Sequence, residues 1–105
     1  MDISTAPYTE RQIARFVVLE AIEAGYTVSV NDGGEWVVKR STDKVEIMSA
    51  LYSTSDDMLR FRNAEGESVG WVWLIWGNGE DLISDYADND ATNALVRAVE
   101  SRLAI

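Results

Sequence analysis

The hydrophobic positions near the start of the chain repeat with the period of an α-helix. Between residues 14 and 22, apolar side chains recur every three or four positions, which places them on one face of a helix. Thr9 and Gln12 have the spacing of a capping box, in which two side chains satisfy free N–H groups of the first turn. The pattern therefore predicts a first helix over residues 9–24 and an N-terminal arm over residues 1–8.

Further along the chain, apolar and polar residues alternate with the period of two that is typical of β-strands. Turn-forming glycine, asparagine and aspartate residues separate most of these segments, and such short turns require neighbouring strands to pair antiparallel. The strands are predicted at residues 26–30, 35–40, 58–62, 69–76 and 81–86. Helical patterns, each preceded by candidate capping residues, fall at residues 43–52 and 91–104.

The order of these elements predicts the fold class. The order α-β-β-α-β-β-β-α is typical of an α+β domain, in which three helices pack on a single antiparallel sheet of about five strands. The whole chain, residues 1–105, is expected to form this one domain. The strand at 69–76 is the most apolar and is expected to be central, although the pattern does not determine the strand order.

The composition narrows the chemistry that the chain can perform. It contains no cysteine and no histidine, which excludes thiolate nucleophiles, imidazole bases and cysteine-ligated metal centres. No metal, cofactor or catalytic residue is therefore expected, and no apolar run approaches the roughly 20 residues that span a bilayer. We expect a non-enzymatic protein of the bacterial cytoplasm that does not bind membranes.

Acidic residues dominate the charge of the chain, with 18 Asp and Glu against 9 Lys and Arg and a formal charge of −9. No basic residue occurs between Arg62 and Arg97, and we call residues 80–90 of this stretch the acidic segment. Turns and helix capping explain Asp88 and Asp90, whereas the other carboxylates indicate a surface that binds a basic partner protein. The acidic residues of the segment are Glu80, Asp81, Asp85, Asp88 and Asp90.

The fourth predicted strand carries tryptophan residues whose role depends on the face of the sheet that they occupy. Trp71 and Trp73 alternate onto one face, and Arg60 and Arg62 share one face of a neighbouring strand. The tryptophans are either part of the core or anchors on an open face, where these arginines and Lys39 lie beside them. On an open face, the two tryptophans together with Arg60 and Arg62 are expected to bind the partner protein. Such a face resembles a platform for single-stranded nucleic acid, but the charge of −9 argues against direct nucleic-acid binding.

Two apolar residues, Phe16 and Leu19, interrupt the polar side of the first helix. One interpretation is that the N-terminal arm folds back and covers them through Ile3 and Tyr8. The other is that they remain exposed and contact a second copy of the chain, forming a homodimer, or a different partner.

Three segments of the sequence resemble small acidic proteins encoded by bacterial phages, prophages and plasmids. The segments are residues 32–41 (DGGEWVVKRS), 59–62 (LRFR) and 76–86 (WGNGEDLISDY). The resemblance extends over residues 10–104 and implies an origin in a mobile element, but it transfers no functional residue. It also implies a class, because such proteins include inhibitors of host defence of the anti-restriction and anti-CRISPR type.

The charge and the resemblance together predict a protein-binding inhibitor. It would block a basic surface of a host defence complex that handles nucleic acid. The alternative is a regulatory or antitoxin-like subunit that acts through homo- or hetero-oligomerisation. In that case Phe16, Leu19 and the tryptophan-bearing face would be buried in a stable assembly.

Overall fold

Five antiparallel strands form one sheet in the computed structural model, which describes residues 2–104. Three α-helices accompany the sheet in this part of the chain, together with 3-10 turns at Ile3–Thr5 and Gly79–Asp81. The predicted α+β class and the order α-β-β-α-β-β-β-α are therefore confirmed. The elements are α1 (Tyr8–Glu23), β1 (Thr27–Asn31), β2 (Trp36–Ser41), α2 (Lys44–Ser49), β3 (Asp56–Arg62), β4 (Ser68–Ile75), β5 (Ile83–Tyr86) and α3 (Asp90–Leu103).

The strands lie in the order β2-β1-β3-β4-β5, and every neighbouring pair is antiparallel. The centre of the sheet is β3 rather than β4, which corrects the expectation drawn from the apolar character of β4. Helix α2 contacts both β1 and β2 and returns the chain across them, so that β3 pairs with β1 and not with β2.

All three helices contribute to a core on one face of the sheet. Its strand residues are almost completely buried and alternate along the strands with more exposed ones. They are Val28, Val30, Val38, Leu59, Phe61, Val72 and Leu74. The helices add Ile13 and Val17 from α1, Ile47 from α2, and Leu95 and Val99 from α3. Removal of this apolar surface from water is the main force that stabilises the fold.

The opposite face of the sheet, which we call the open face, carries the strand residues that alternate with the core. The strand register places on it Ser29 from β1, Arg60 and Arg62 from β3, and Trp71 and Trp73 from β4. Within residues 2–104, every strand residue of the buried core cluster lies on the face that the helices cover. Ser29 on this open face is buried, whereas Arg60, Arg62 and Trp71 are half-buried and Trp73 is exposed, so the arginines and tryptophans present part of their surface to solvent.

The first helix begins one residue earlier than predicted, at Tyr8. The capping box expected from Thr9 and Gln12 does not form, because Thr9 already lies inside the helix. Glu10 is buried, and its Oε1 accepts a hydrogen bond of 2.6 Å from the N–H of Gly77. This bond ties the first turn of α1 to the turn that follows β4.

The middle helix and the last strand are shorter than predicted. Helix α2 ends at Ser49, and Tyr52 shortly after it has a φ of 66°, in the left-handed region that ends a helix. Strand β5 begins at Ile83 because Gly79–Asp81 form a 3-10 turn. None of the helices within residues 2–104 has the length and apolar character needed to cross a membrane.

Candidate functional site

The strand register brings the predicted arginines and tryptophans together on the open face. Arg60 in β3 lies directly opposite Trp71 in β4, and Met58 lies opposite Trp73. Trp71 is half-buried and Trp73 is 36% exposed, so neither indole is enclosed under the helices. This placement favours the interpretation of the tryptophans as open-face residues over their interpretation as core.

The indole that Arg60 contacts is Trp36, which the sequence did not single out. The guanidinium carbon of Arg60 lies 5.1 Å from the centre of the Trp36 ring, which is a cation–π distance. Strict alternation along β2 would place Trp36 in the core together with Val38. An irregularity in the pairing of β1 with β2 places Asn31 opposite Trp36 and Val30 opposite Val38, which turns the indole to the open face.

A second irregularity in the same pair of strands positions Arg40. Its φ of 51° lies in the left-handed region, and its N–H donates a hydrogen bond of 2.9 Å to Ser29 Oγ. The bulge places Lys39 and Arg40 together opposite the single residue Ser29. Two basic side chains of β2 therefore lie across β1 from the arginines of β3.

A pocket of about 190 Å³ lies on the open face over β1, β2 and β3. The residues that line it are Ser29, Trp36, Lys39, Arg40, Arg60 and Arg62. We call it the basic pocket, because four of the 9 basic residues of the chain line it. Arg62 is held at the pocket by a hydrogen bond of 2.9 Å that its Nη1 donates to the carbonyl oxygen of Gly66.

The four cations of the basic pocket have no carboxylate partner within residues 2–104. Every ion pair in that part of the chain involves Arg102, which contacts Glu20 and Glu23. The like charges in the pocket repel one another, and the repulsion is strongest where side chains exclude water. The basic pocket is therefore a concentrated, uncompensated positive charge on a protein of net charge −9.

The acidic segment is exposed at all five of its carboxylates but is spread over three elements and one loop. Within residues 2–104 none of the five forms an ion pair, and no group of three or more potential metal ligands occurs. The residue that caps α3 is Asn89, whose side chain accepts the N–H of Thr92. The carboxylates are Glu80 and Asp81 in the 3-10 turn, Asp85 in β5, Asp88 before α3 and Asp90 in its first turn.

Asp85 is the residue through which the acidic segment reaches the open face. It lies directly opposite Trp73 in the pairing of β4 with β5. The Nε1 of Trp73 donates a hydrogen bond of 3.0 Å to Oδ2 of Asp56 in β3. The open face is therefore basic at the pocket and acidic around Trp73.

The apolar residues on the polar side of α1 have different surroundings. Arg102 of α3 covers Phe16, with its guanidinium carbon 5.6 Å from the centre of the ring. The guanidinium group of Arg102 is therefore one of the groups that cover Phe16, and Tyr8, the first residue of α1, lines the same pocket. Ile3 of the N-terminal arm packs against the core. Leu19 instead lines a groove between α1 and α2, where Met48 and the exposed Val45 also lie.

Comparison of the chain with protein-family models, curated proteins and solved structures finds no match. The resemblance to proteins of mobile elements therefore stays a prediction. Any function has to be argued from the charges and the exposed aromatic residues of this chain. The open face and the acidic segment are the two surfaces that supply such an argument.

Proposed function

We propose that this chain is a non-catalytic protein-binding module that covers a basic surface of a bacterial complex that handles nucleic acid. The observation that carries the proposal is the acidic segment, whose five carboxylates are exposed and form no ion pair within residues 2–104. A partner that normally binds phosphate groups presents the cations that would compensate these charges.

The exposed tryptophan beside the segment supports a protein partner over a small ligand. Trp73 lies opposite Asp85 and is 36% exposed, so an acidic group and a large aromatic side chain are offered side by side. Tryptophan is enriched among the residues that contribute most to protein–protein affinity. The surrounding charges orient the partner and accelerate the encounter.

The same proposal includes a place and a role in the cell. An inhibitor of this kind acts in the bacterial cytoplasm, where restriction and CRISPR complexes expose basic grooves to nucleic acid. It would compete with the nucleic acid for the groove, in the manner expected of an inhibitor of the anti-restriction or anti-CRISPR type.

Charge reversal in the acidic segment tests the proposal. A bacterial partner recovered by capture with the native chain is purified, and its Kd is measured at low and at high salt. We expect Asp81→Lys and Asp85→Lys each to weaken binding by about tenfold, because a favourable contact with a cation becomes a repulsion. We also expect the native affinity to fall as salt rises, since salt screens exposed charges.

Glu46→Lys is the matched control, because it makes the same charge change on an exposed residue of α2. It should change the Kd by less than about twofold at the same salt concentration. Binding that is independent of salt and unaffected by both segment variants would contradict the proposal. Equal losses in the control and segment variants would also contradict it, because they would reflect net charge alone.

A further inference from the structure

The basic pocket carries charge of the opposite sign to the acidic segment and has no part in the proposed function. We propose that this pocket binds a single phosphomonoester group. The juxtaposition of Arg40, Arg60 and Arg62 around one small cavity carries the inference. Arginine guanidinium groups match phosphate oxygens in geometry and donate paired hydrogen bonds to them.

Two of the three arginines have partners that hold them at the pocket before any ligand arrives. Arg60 packs on the ring of Trp36, and Arg62 donates to the carbonyl oxygen of Gly66 at 2.9 Å. Arg40 reaches the same turn, since its Nη1 lies 3.6 Å from the position that a Cβ on Gly66 would occupy. Each guanidinium has five N–H donors, so these contacts leave donors free. Preorganised donors lower the entropy that binding costs.

The charge of the pocket favours a doubly charged ligand. Four cations line it, and within residues 2–104 none has a carboxylate partner. A phosphomonoester carries a charge of about −1.5 to −2 near neutral pH, whereas a carboxylate carries one negative charge. The phosphomonoester therefore relieves more of the repulsion among the cations.

The size and the surroundings of the pocket favour an isolated group over a nucleic-acid strand. The volume of about 190 Å³ is below the roughly 300 Å³ at which cavities for drug-sized ligands begin. Arg60 already occupies a face of Trp36 that a base would need for stacking. Beyond the pocket, Asp56 and Asp85 lie beside Trp73 and would repel further phosphates of a strand.

Two sources offer this chemistry: a phosphorylated side chain of a protein and the terminal phosphate of a nucleotide. The test is an NMR titration of the ¹⁵N-labelled protein, observed at the arginine Nε and tryptophan Nε1 signals. The probes are inorganic phosphate, O-phosphoserine, adenosine 5′-monophosphate and a short oligothymidylate without a terminal phosphate. We expect the first three to shift the signals of Arg60, Arg62 and Trp36 in a saturable way.

Substitution of a pocket arginine tests whether phosphate binds at the basic pocket and not elsewhere on the protein. Arg60→Gln should weaken phosphate binding by about tenfold. Arg97→Gln, which removes the same charge from an exposed residue of α3, should change it by less than about twofold. If Arg60→Gln does not fold by circular dichroism, Lys39→Gln replaces it, because the Lys39 side chain is exposed.

The outcomes separate the alternatives. Tighter binding of O-phosphoserine than of adenosine monophosphate supports a phosphoprotein source, and the reverse order supports a nucleotide. Saturable binding of the oligothymidylate alone would overturn the proposal in favour of single-stranded nucleic acid. Shifts that are equal at Arg97, or that survive Arg60→Gln unchanged, would overturn it as well. These results do not depend on the acidic segment, so this proposal and the proposed function can fail separately.

Discussion

At the scale of single residues, Asp57 brings a carboxyl group into the core. It is 0% exposed, and its Oδ2 accepts hydrogen bonds from the Tyr52 N–H at 2.9 Å and from Trp76 Nε1 at 2.8 Å. Its Oδ1 has no hydrogen-bond partner among residues 2–104. Burial raises the pKa of Asp57 above its ordinary value of 3.8, although the two hydrogen bonds oppose the shift.

The raised pKa of Asp57 makes the stability of the protein depend on pH. The folded state binds this proton more tightly than the unfolded state, so the charged carboxylate costs stability as pH rises through the folded pKa. We expect Asp57→Asn to gain stability relative to the native chain as pH rises above the ordinary carboxyl pKa of 3.8, until Asp57 is ionised in the folded state, by about 1.4 kcal/mol for each unit of pKa elevation. Urea denaturation at a series of pH values measures the difference.

The amide of the Asp57→Asn variant keeps an oxygen that can accept both hydrogen bonds, but it puts N–H donors where Oδ1 has no partner among residues 2–104, a cost that does not change with pH. The pH-dependent part of the difference therefore reports the charge. Glu46→Gln reports the effect of removing a surface carboxylate on α2. We expect the free energy of unfolding of Asp57→Asn, relative to that of the native chain, to rise with pH. A difference that stays constant or falls as pH rises would contradict this expectation.

The face of the sheet on which a side chain lies was predictable from the sequence where strict alternation holds. Alternation correctly separated Trp71 and Trp73 from Val72 and Leu74 of the core. It failed at Trp36, because irregular pairing of β1 with β2 changes the face on which that side chain lies. Bulges depend on how two strands meet, so the sequence of one strand does not reveal them.

At the scale of elements, Gly70 sets how closely α3 approaches the sheet. Gly70 lies opposite Phe61 in β3, on the core side of β4. A Cβ at Gly70 would lie 1.8 Å from Oγ1 and 3.1 Å from Cβ of Thr92, which is buried near the start of α3. Only glycine permits this contact between the helix and the strand.

Gly70→Ala is therefore expected to destabilise the fold by about 1–3 kcal/mol, because the start of α3 must move away from β4. Thermal or urea denaturation measures the loss. Adding Thr92→Ala should recover part of it, since the closest clashing atom, Thr92 Oγ1, is removed. Gly34→Ala is the control, because the nearest atom to its added Cβ would be Asp32 Oδ1 in the same turn, at an ordinary distance of 3.6 Å. Equal effects of the two glycine substitutions would contradict this account.

The elements themselves were predicted well, whereas their arrangement was not. Hydrophobic periodicity located three helices and five strands, because it reflects which side of each element is buried. The order of the strands depends on where α2 returns the chain, and a six-residue helix leaves no trace of that direction in its own sequence. The basic pocket was only partly predictable for the same reason, since it requires β2 and β3 to flank β1.

At the scale of the whole molecule, charge opposes self-association. The net charge of −9 makes copies of the chain repel one another, and Arg102 already covers Phe16. We therefore expect light scattering to give the monomer mass of 11.7 kDa across a dilution series at moderate salt. A dimer that resists dilution would contradict this expectation. It would support the alternative of a regulatory or antitoxin-like subunit, with Leu19 and Val45 as the first residues to substitute.

Both outer strands of the sheet resist further strand addition. Strand β2 carries a bulge at Arg40 and the exposed charge of Lys39, and β5 is four residues long and carries the exposed Asp85. Bulges, short strands and outward charges are features that keep sheet edges from templating aggregation. Copies of the chain can therefore reach a high concentration without polymerising through the edges of the sheet. A binding partner would therefore have to contact the face of the sheet rather than an edge strand.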